Sequence, residues 1–502
     1  MNRISNWCWS NKYLPCAALA ASIVVLSGCM VGPKYSRPAA PVPQGYKEPL
    51  PNGYKEWKQA QPNETALRGK WWEVYNDPDL NALEEQVAIS NQNVLVAAAQ
   101  FREARDLVSS ARANLFPTVG IGTSIVNSRQ SQTIYGSGNS NNAIASIVQQ
   151  RTTYALPISI SWEADIWGSV RHSVNANVAD TQSSAAILAN ARLSYQALLA
   201  QNYFVLHGID GEADILERTY KSYQDSLQLT KDRYDAGVAS DLDVAQAETQ
   251  LNTAKAQLVD LGVARAQFEH AIAVLMGKPP SGLSIPAKIL ATPPPPVPVS
   301  VPSELLERRP DIASAERMMA AQNELIGIAQ AAYYPTVGLN ATTGLQTSEF
   351  TKWFTWPSKY WSVGPVASET VFDGGRRKAQ LRQTRDAYDA TVASYRQTVL
   401  TAFQQVEDNL SALRILSQES QTQRLAVGSS QRALDVSTEE YKAGTADYLT
   451  VLTAQTAVLS NQLTANNLLT RQMASSVLLV QALGGGWNST DLPNRDAIIS
   501  GQ

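Results

Sequence analysis

The second half of this sequence repeats the pattern of the first, and this duplication limits the possible folds more than any other feature. Phe116-Pro117-Thr118-Val119 corresponds to Tyr334-Pro335-Thr336-Val337, and Tyr234-Asp235-Ala236-Gly237 corresponds to Tyr441-Lys442-Ala443-Gly444. Landmarks that recur in the same order indicate one structural unit used twice. The joint contains Pro293-Pro294-Pro295-Pro296, which favours an extended polyproline II linker.

Each copy has the pattern of a helix, a strand, a loop, a second strand and two long helices. The strand segments alternate apolar and small polar residues with a period of two. Segments of this length can cross hydrocarbon when tilted, although a soluble sandwich strand shows the same alternation. The apolar positions are Val119, Ile121, Ile125, Leu156, Ile158, Ile160 and Trp162 in the first copy, and Val337, Leu339, Ala341, Leu345, Trp361, Val363, Pro365 and Ala367 in the second.

Long helical segments follow the strands, after Gly168 in the first copy and Gly374-Gly375 in the second. Apolar residues from Ile209 to Tyr234 recur in steps of three and four, which predicts a heptad seam in a helical hairpin. A continuous helix from Gly168 to Tyr234 would be roughly 100 Å long. Small residues beside the seam favour a cylinder of helices with a polar face toward internal water.

The first 29 residues carry a targeting signal. Basic Arg3 and Lys12 precede an apolar run of ten residues, which is too short to span a bilayer and is typical of a secretory signal peptide. The run ends in Leu26-Ser27-Gly28-Cys29, which resembles a bacterial lipobox with acylation at Cys29. An ordinary signal peptide with an incidental cysteine is the alternative. Met30, rather than Asp, follows the cysteine, and in bacterial lipoproteins this favours the outer membrane.

These features divide the chain into six parts. Residues 1–28 are the signal peptide, 29–79 a lipidated extended segment, 80–280 the first repeat and 281–302 the proline-rich linker. Residues 303–487 form the second repeat and 488–502 a carboxyl-terminal tail.

Composition excludes several classes of function. The 41 basic residues against 44 acidic ones give a net charge of −3, so no basic excess exists for nucleic acid. The three histidines and three cysteines lack metal-ligand spacing, and His207 and His270 are expected to be packing or tunnel-wall residues without acidic partners. No cofactor, metal or catalytic cluster is predicted, and the chain is not expected to be an enzyme.

Four amphipathic strands cannot close a barrel, and an open sheet edge in lipid leaves backbone groups unpaired. The chain is therefore expected to oligomerise in the membrane.

Five motifs in order resemble the NodT-type lipoproteins of the TolC-like outer-membrane efflux family. They are the lipobox, Val31-Gly32-Pro33-Lys34-Tyr35-Ser36-Arg37-Pro38, Leu305-Leu306-Glu307-Arg308-Arg309-Pro310-Asp311-Ile312, Phe372-Asp373-Gly374-Gly375-Arg376 and Ala482-Leu483-Gly484-Gly485-Gly486-Trp487. The resemblance implies an α+β membrane protein: a homotrimer with four transmembrane strands per chain and a long periplasmic helical barrel. It also implies a periplasmic adaptor and an inner-membrane pump of the RND type as partners.

The turns between the long helices are the candidate functional sites. Glycines stand where an antiparallel helix hairpin must turn, with Ser240 and Asp447 as helix caps. The resemblance implies adaptor docking at these tips, and a closed aperture lined by acidic residues. The docking residues are Gly237, Val238, Ala239, Ser240, Gly444, Thr445 and Ala446, and the aperture candidates are Asp447, Tyr448, Asp241 and Asp243.

The predicted function is a passive outer-membrane exit duct of a tripartite efflux system. Two alternatives remain open from the sequence. One is a structural lipoprotein whose coiled coil bridges envelope layers, and the other is the outer-membrane duct of a type I protein secretion system.

Overall fold

Long helices and one antiparallel sheet make up the computed structural model, which describes residues 30–48, 69–129, 150–297 and 302–500. The predicted signal peptide and Cys29 lie outside the described residues, as do parts of the extended segment and the linker.

The order of elements in the first half recurs in the second. The first half contains α1 (Pro78–Ser90), α2 (Gln92–Ala113), β1 (Thr118–Ile121), β2 (Ser124–Ser128), β3 (Arg151–Ala164), α3 (Ser169–Asp235) and α4 (Asp241–Leu275). The second half contains α5 (Leu305–Arg308), α6 (Pro310–Ala331), β4 (Thr336–Thr347), β5 (Lys359–Ser368), α7 (Arg376–Ala443), α8 (Tyr448–Ala482) and the short α9 (Arg495–Ser500). The domain boundaries drawn from the sequence remain a prediction.

The two longest helices are uninterrupted. The 67 residues of α3 and the 68 residues of α7 each extend for roughly 100 Å at 1.5 Å per residue. Both begin after a glycine in the left-handed region, Gly168 with φ 83° and Gly375 with φ 90°. The long helical hairpins expected from the heptad pattern are therefore present.

The first expected strand is divided into β1 and β2, so the sheet contains five strands. Both segments pair with β3, and the register continues across the break from Ile121 opposite Ile158 to Ser124 opposite Ala155. Within the break, Gly122 donates its N–H to the carbonyl of Pro157 at 3.1 Å. Pro157 has no N–H to return, which interrupts the ladder without shifting it.

One face of the sheet is apolar and the other is small and polar. Residues that pair directly point to the same face. Ile160 pairs with Val119 and Ala341, and Ala341 pairs in turn with Val363. On the opposite face Ser159 pairs with Gly120 and Thr342. The alternation predicted from sequence is therefore present in the sheet, although Val126 and Val366 lie on the polar face.

The long helices form a layer in which α3 and α8 are central and α4 and α7 lie at the edges. Contacts join α4 to α3, α3 to α8 and α8 to α7. The two repeats meet closely where an added Cβ at Gly208 would lie 2.3 Å from Thr470 Oγ1. Asn466 on α8 also donates its amide to the Gly208 carbonyl at 2.8 Å.

The strands of the sheet are arranged in the same way as the helices. β3 and β4 are central, and β1, β2 and β5 lie at the edges. The main core lies between α1, α3, α6, α7 and α8 and is built from residues such as Leu80, Tyr203, Leu206, Ile312 and Tyr395.

Among the described residues, no helix combines the length and hydropathy needed for a membrane span.

Candidate functional site

The turn between α3 and α4 is built from local hydrogen bonds. Gly237 has φ 77°, a left-handed conformation that glycine adopts without strain. Ser240 begins α4 with a reciprocal capping box: its hydroxyl accepts from the Asp243 amide, and its own amide donates to the Asp243 carboxylate at 2.9 Å. The predicted helix cap at Ser240 is confirmed, and Asp243 has a capping role as well.

The turn between α7 and α8 has the same design. Gly444 has φ 80° and ends α7, and Asp447 begins α8. The Asp447 carboxylate accepts from the Thr450 hydroxyl at 2.5 Å and from the Thr450 amide at 3.0 Å. These hydrogen bonds lower the pKa of the Asp447 carboxyl below its usual value, since they stabilise the ionised form. Asp447 is therefore an exposed, ionised cap.

Side chains from both hairpins hold the two tips together. The Arg233 guanidinium lies 4.6 Å from the centre of the Tyr441 ring and donates to the Lys442 carbonyl at 3.2 Å. Tyr441 packs edge-to-face on Tyr448 at 5.7 Å between ring centres, in a cluster that includes Leu227 and Ala247. The tips of this chain form one body with a small apolar core.

Five of the seven predicted docking residues are exposed on this body, while Ala239 and Ala446 are half-buried. Val238 is 65% exposed, and Gly237, Ser240, Gly444 and Thr445 are exposed with it. Sequence reasoning missed two neighbours, Leu242 and Leu449, which are 65% and 56% exposed. Apolar residues in the first turn of a helix, on the face away from its hairpin partner, were the available signal.

The aperture candidates differ in their surroundings. Asp241 and Asp447 are exposed and Asp243 is half-buried. Tyr448 is only 2% exposed because its ring lies in the core of the tip. In this conformation Tyr448 packs within the chain and presents almost no surface to an aperture.

Two motifs that carry the family resemblance meet in the folded chain. Arg309 is buried and donates to the Asp311 carboxylate at 2.6 Å, to the Ala482 carbonyl at 2.8 Å and to Gln405 at 2.9 Å. It therefore joins the start of α6 to the end of α8 and to α7.

The expectation that His207 lacks an acidic partner is wrong. Its Nδ1 lies 2.9 Å from Asp210 Oδ2, and Asp210 also accepts from Arg265 Nε at 2.7 Å and from the Lys288 amide at 3.0 Å. These bonds hold the linker against α3 and α4. Among the described residues, no group of acidic, histidine or cysteine side chains could hold a metal ion.

Aromatic residues border the sheet at both ends. Tyr154 contacts Phe350 and Trp353, with ring centres 5.5 Å apart in each pair. At the opposite end Trp167 stacks on Tyr334 at 4.5 Å. Aromatic side chains at both borders of an apolar band are typical of membrane β-proteins.

An amphipathic sheet with aromatic borders, continued by hairpins whose longer helices extend for about 100 Å, defines an outer-membrane channel protein with a long helical extension. Comparison with known proteins identifies the family. Residues 83–278 and 301–485 match the family profile described as Outer membrane efflux protein, and the chain belongs to this family of the outer membrane.

Relatives and solved structures agree along nearly the whole chain. The toluene efflux pump outer membrane protein TtgC of Pseudomonas putida is 30% identical over 490 residues, covering 96% of this chain and 98% of the relative. The outer membrane protein OprJ of Pseudomonas aeruginosa is 29% identical over 483 residues, covering 94% and 97%. The structure of the outer-membrane channel OprN has a TM-score of 0.80 at 28% identity, covering 91% of this chain and all of that one.

Proposed function

We propose that this efflux protein acts as a homotrimeric exit duct that carries substrates from an inner-membrane pump and a periplasmic adaptor through the outer membrane. The observation that carries the proposal is that the sheet is open. It has one apolar face, and among the described residues its two edge strands have no outer partner. The strands lead into a layer of long helices that is open at both sides as well. Neither layer is complete as a monomer, and both are open on corresponding sides.

The strand directions support closure by repetition of the chain. Because β1 and β2 share one register, they count as a single strand and the sheet has four strand positions with alternating direction. A β5 edge then meets the β1–β2 edge of the next copy in antiparallel orientation. Three copies would give twelve strand positions, and closed antiparallel barrels require an even number.

The edge helices support the same arrangement. On α7, Gln423 contacts Asn461 of α8, while Leu425, two residues further and about 200° around the helix, is 74% exposed. On α4, Ala254 is buried, and Val259 and Val263 are 71% and 59% exposed. Each edge helix thus carries large apolar residues on the side away from its hairpin partner, where a neighbouring chain would pack.

The apolar tip residues support docking of the adaptor. Val238, Leu242 and Leu449 are exposed next to the two glycine turns, where no segment among the described residues covers them. A partner with small apolar residues at its own helix tips fits this surface. We also propose acylation at Cys29, so that the chain is anchored in the outer membrane by lipid as well as by the sheet.

Relatives of this chain are named for toluene, solvent and antibiotic efflux. These names support small organic molecules as the cargo, with selection by the pump rather than by the duct.

The decisive experiment is planar-bilayer conductance of the purified protein, combined with chemical crosslinking. A duct gives discrete channels from a species of three chains. A structural coiled-coil lipoprotein gives no conductance. Expression of the protein in a strain that lacks its own outer-membrane channels separates the two kinds of duct: an efflux duct restores drug resistance, and a secretion duct restores protein export.

A further inference from the structure

Residues 30–48, here called the strap, run along the surface and touch both repeats. The strap begins at the end of the sheet, where the Val31 amide donates to the carbonyl of Trp167 at 3.1 Å. Trp167 in turn donates its indole N–H to the Pro335 carbonyl at 2.8 Å. The first residues of the strap therefore lie where β3 ends and β4 begins.

His172 on α3 holds this end of the strap. Its Nε2 lies 2.8 Å from the carbonyl oxygen of Val31, and its Nδ1 lies 2.6 Å from the Glu324 carboxylate on α6. Each ring nitrogen of His172 therefore has an oxygen partner within hydrogen-bonding distance. The ring is buried, so this one side chain joins the strap, α3 and α6.

Glycines allow these three segments to approach closely. A Cβ at Gly327 on α6 would lie 2.4 Å from atoms of the His172 ring, and a Cβ at Gly32 would lie 2.9 Å from the Gly327 Cα. Gly32 also has φ 150°. A Cβ at Gly168 would lie 2.6 Å from the Met30 side chain. The contact site formed by His172, Gly168 and Gly327 is here called the seat. It leaves no room for a larger side chain at these glycines or at Gly32.

Beyond the seat, the strap follows the second repeat. Asn323 donates to the Pro33 carbonyl at 3.0 Å, and the Tyr35 hydroxyl donates to Glu316. Further along, Arg37 donates to the Tyr395 hydroxyl at 3.1 Å, and Glu407 accepts from the amides of Lys47 and Glu48. The strap is bonded to α6 and then to α7 over most of its length.

We propose that His172 is a positioning residue that seats the amino-terminal end of the strap at the junction of the two repeats and thereby holds the acylated amino terminus against the end of the sheet. This inference rests on the proposed acylation at Cys29 for the lipid, but the seat itself rests on described contacts alone. The proposed lipid anchor is then attached next to the end of the sheet, where the strap is held.

Limited trypsin digestion of the purified full-length protein in detergent, where both ends of the sheet are accessible to the protease, tests the seat. Lys34 is exposed and lies between Pro33 and Tyr35, and both neighbours are held by the body. His172→Gln removes the ring that contacts both Val31 and Glu324, and a loss of about 1.4 kcal/mol increases the open population about tenfold. We expect cleavage after Lys34 to accelerate by at least about that factor, with conductance retained.

His207→Gln is the matched control, since His207 is a buried histidine on the same helix with an acidic partner but no contact with the strap. Gly327→Ala is an independent second variant: alanine favours helix more than glycine does, so faster cleavage in it reports displacement of the ring. Equal cleavage rates in His172→Gln and His207→Gln, or protection retained in Gly327→Ala, would overturn the proposal.

Mass spectrometry of the released peptide separates the two proposals. A peptide that begins at Cys29 and carries acyl chains supports both the anchor and its seat. An unmodified peptide would overturn the proposed acylation, and with it the role of His172 in holding the lipid. If that peptide is still released faster from His172→Gln than from His207→Gln, the role of His172 in holding the strap stands.

Discussion

Glu84 shows at the scale of a residue how a core position can hold an ionisable group. It lies on the same face of α1 as Leu80 and Val87, and all three are fully buried. Burial raises the pKa of the Glu84 carboxyl well above its usual value, and the Ala200 backbone opposes this shift only weakly. Neither carboxyl oxygen makes a hydrogen bond of normal geometry with the described residues.

This burial predicts a pH-dependent stability. Below a pKa of about 4.3, both the folded and the unfolded carboxyl are protonated, and no penalty exists. As the pH rises above that value, the unfolded chain releases the proton while the folded chain retains it, so the free energy of unfolding falls until the raised folded pKa is passed. Glu84→Gln should flatten this dependence and raise the free energy of unfolding at neutral pH, because the amide has no proton to retain on folding. Thermal unfolding between pH 4 and 8 measures it, and an unchanged pH profile would contradict a buried neutral acid.

Asp447 combines a cap with a candidate aperture charge, and these two roles can be separated. Asp447→Asn keeps much of the capping ability but removes the charge, so in the proposed trimer we expect altered single-channel current and weaker block by divalent cations. Thr450→Val is the matched control, because it removes a hydrogen bond to the cap and leaves the carboxylate. Undiminished divalent block in the Asn variant would leave Asp447 as a cap only and direct attention to Asp241 and Asp243.

Sequence reasoning predicted residues whose role depends on local geometry, such as Gly237, Gly444 and Ser240. It missed partners both near and far along the chain. His207 meets Asp210 only three positions away, and His172 meets Val31 and Glu324, which lie 141 and 152 positions away. The aperture role of Tyr448 stays a prediction.

At the scale of elements, the strands were predictable because the period of two survives in a sheet with one apolar face. The division into β1 and β2 was not, since its cause is Pro157 on a neighbouring strand. The long helices were predictable from the heptad pattern: Leu216, Tyr223 and Leu227 of the expected seam are buried. Tyr234 at the end of that seam is half-exposed because the hairpin ends there.

Adjacent residues of β3 give a direct test of which face meets lipid. Ile158 pairs with Ile121 and Thr343 on the apolar face, and Ser159 pairs with Gly120 and Thr342 on the other. An arginine on the lipid face near the bilayer midplane costs about 2–4 kcal/mol. We expect Ile158→Arg to impair assembly in the outer membrane and Ser159→Arg to be tolerated, as measured by heat-resistant oligomer in membrane fractions. Equal losses at the two positions would contradict the assignment of the faces.

The contact between α3 and α8 is a second test at this scale. Gly208→Ala places a methyl group 2.3 Å from Thr470 Oγ1, so one helix must shift or the Thr470 side chain must rotate. We expect a destabilisation of about 1–3 kcal/mol in thermal unfolding. Gly428→Ala on α7 is the control, since nothing lies within 4 Å of a Cβ there, and it should be neutral or slightly stabilising. Equal effects of the two substitutions would contradict a close helix contact at Gly208.

At the scale of the whole molecule, the duplication creates a chain that is open on both sides. The sheet ends in β1–β2 and β5, and the helix layer ends in α4 and α7. The sequence predicted this incompleteness from the number of strands. The surfaces that would close it depend on which helices lie at the edges, and only the packing order of α4, α3, α8 and α7 provides that.

Leu425 is the sharpest test of closure between chains. It is 74% exposed on the side of α7 away from α8, and burial of a leucine side chain in an interface contributes about 1.5–3 kcal/mol. Leu425→Arg loses this contribution at each of three contacts and buries a charge, so we expect a lower trimer melting temperature and more monomer in crosslinking at low protein concentration. Arg424→Glu is the control, because it reverses an exposed charge about 100° around the helix without removing apolar surface. A Leu425→Arg protein as trimeric and as stable as that control would show that this side of α7 faces water, and the neighbouring chain would then have to pack elsewhere.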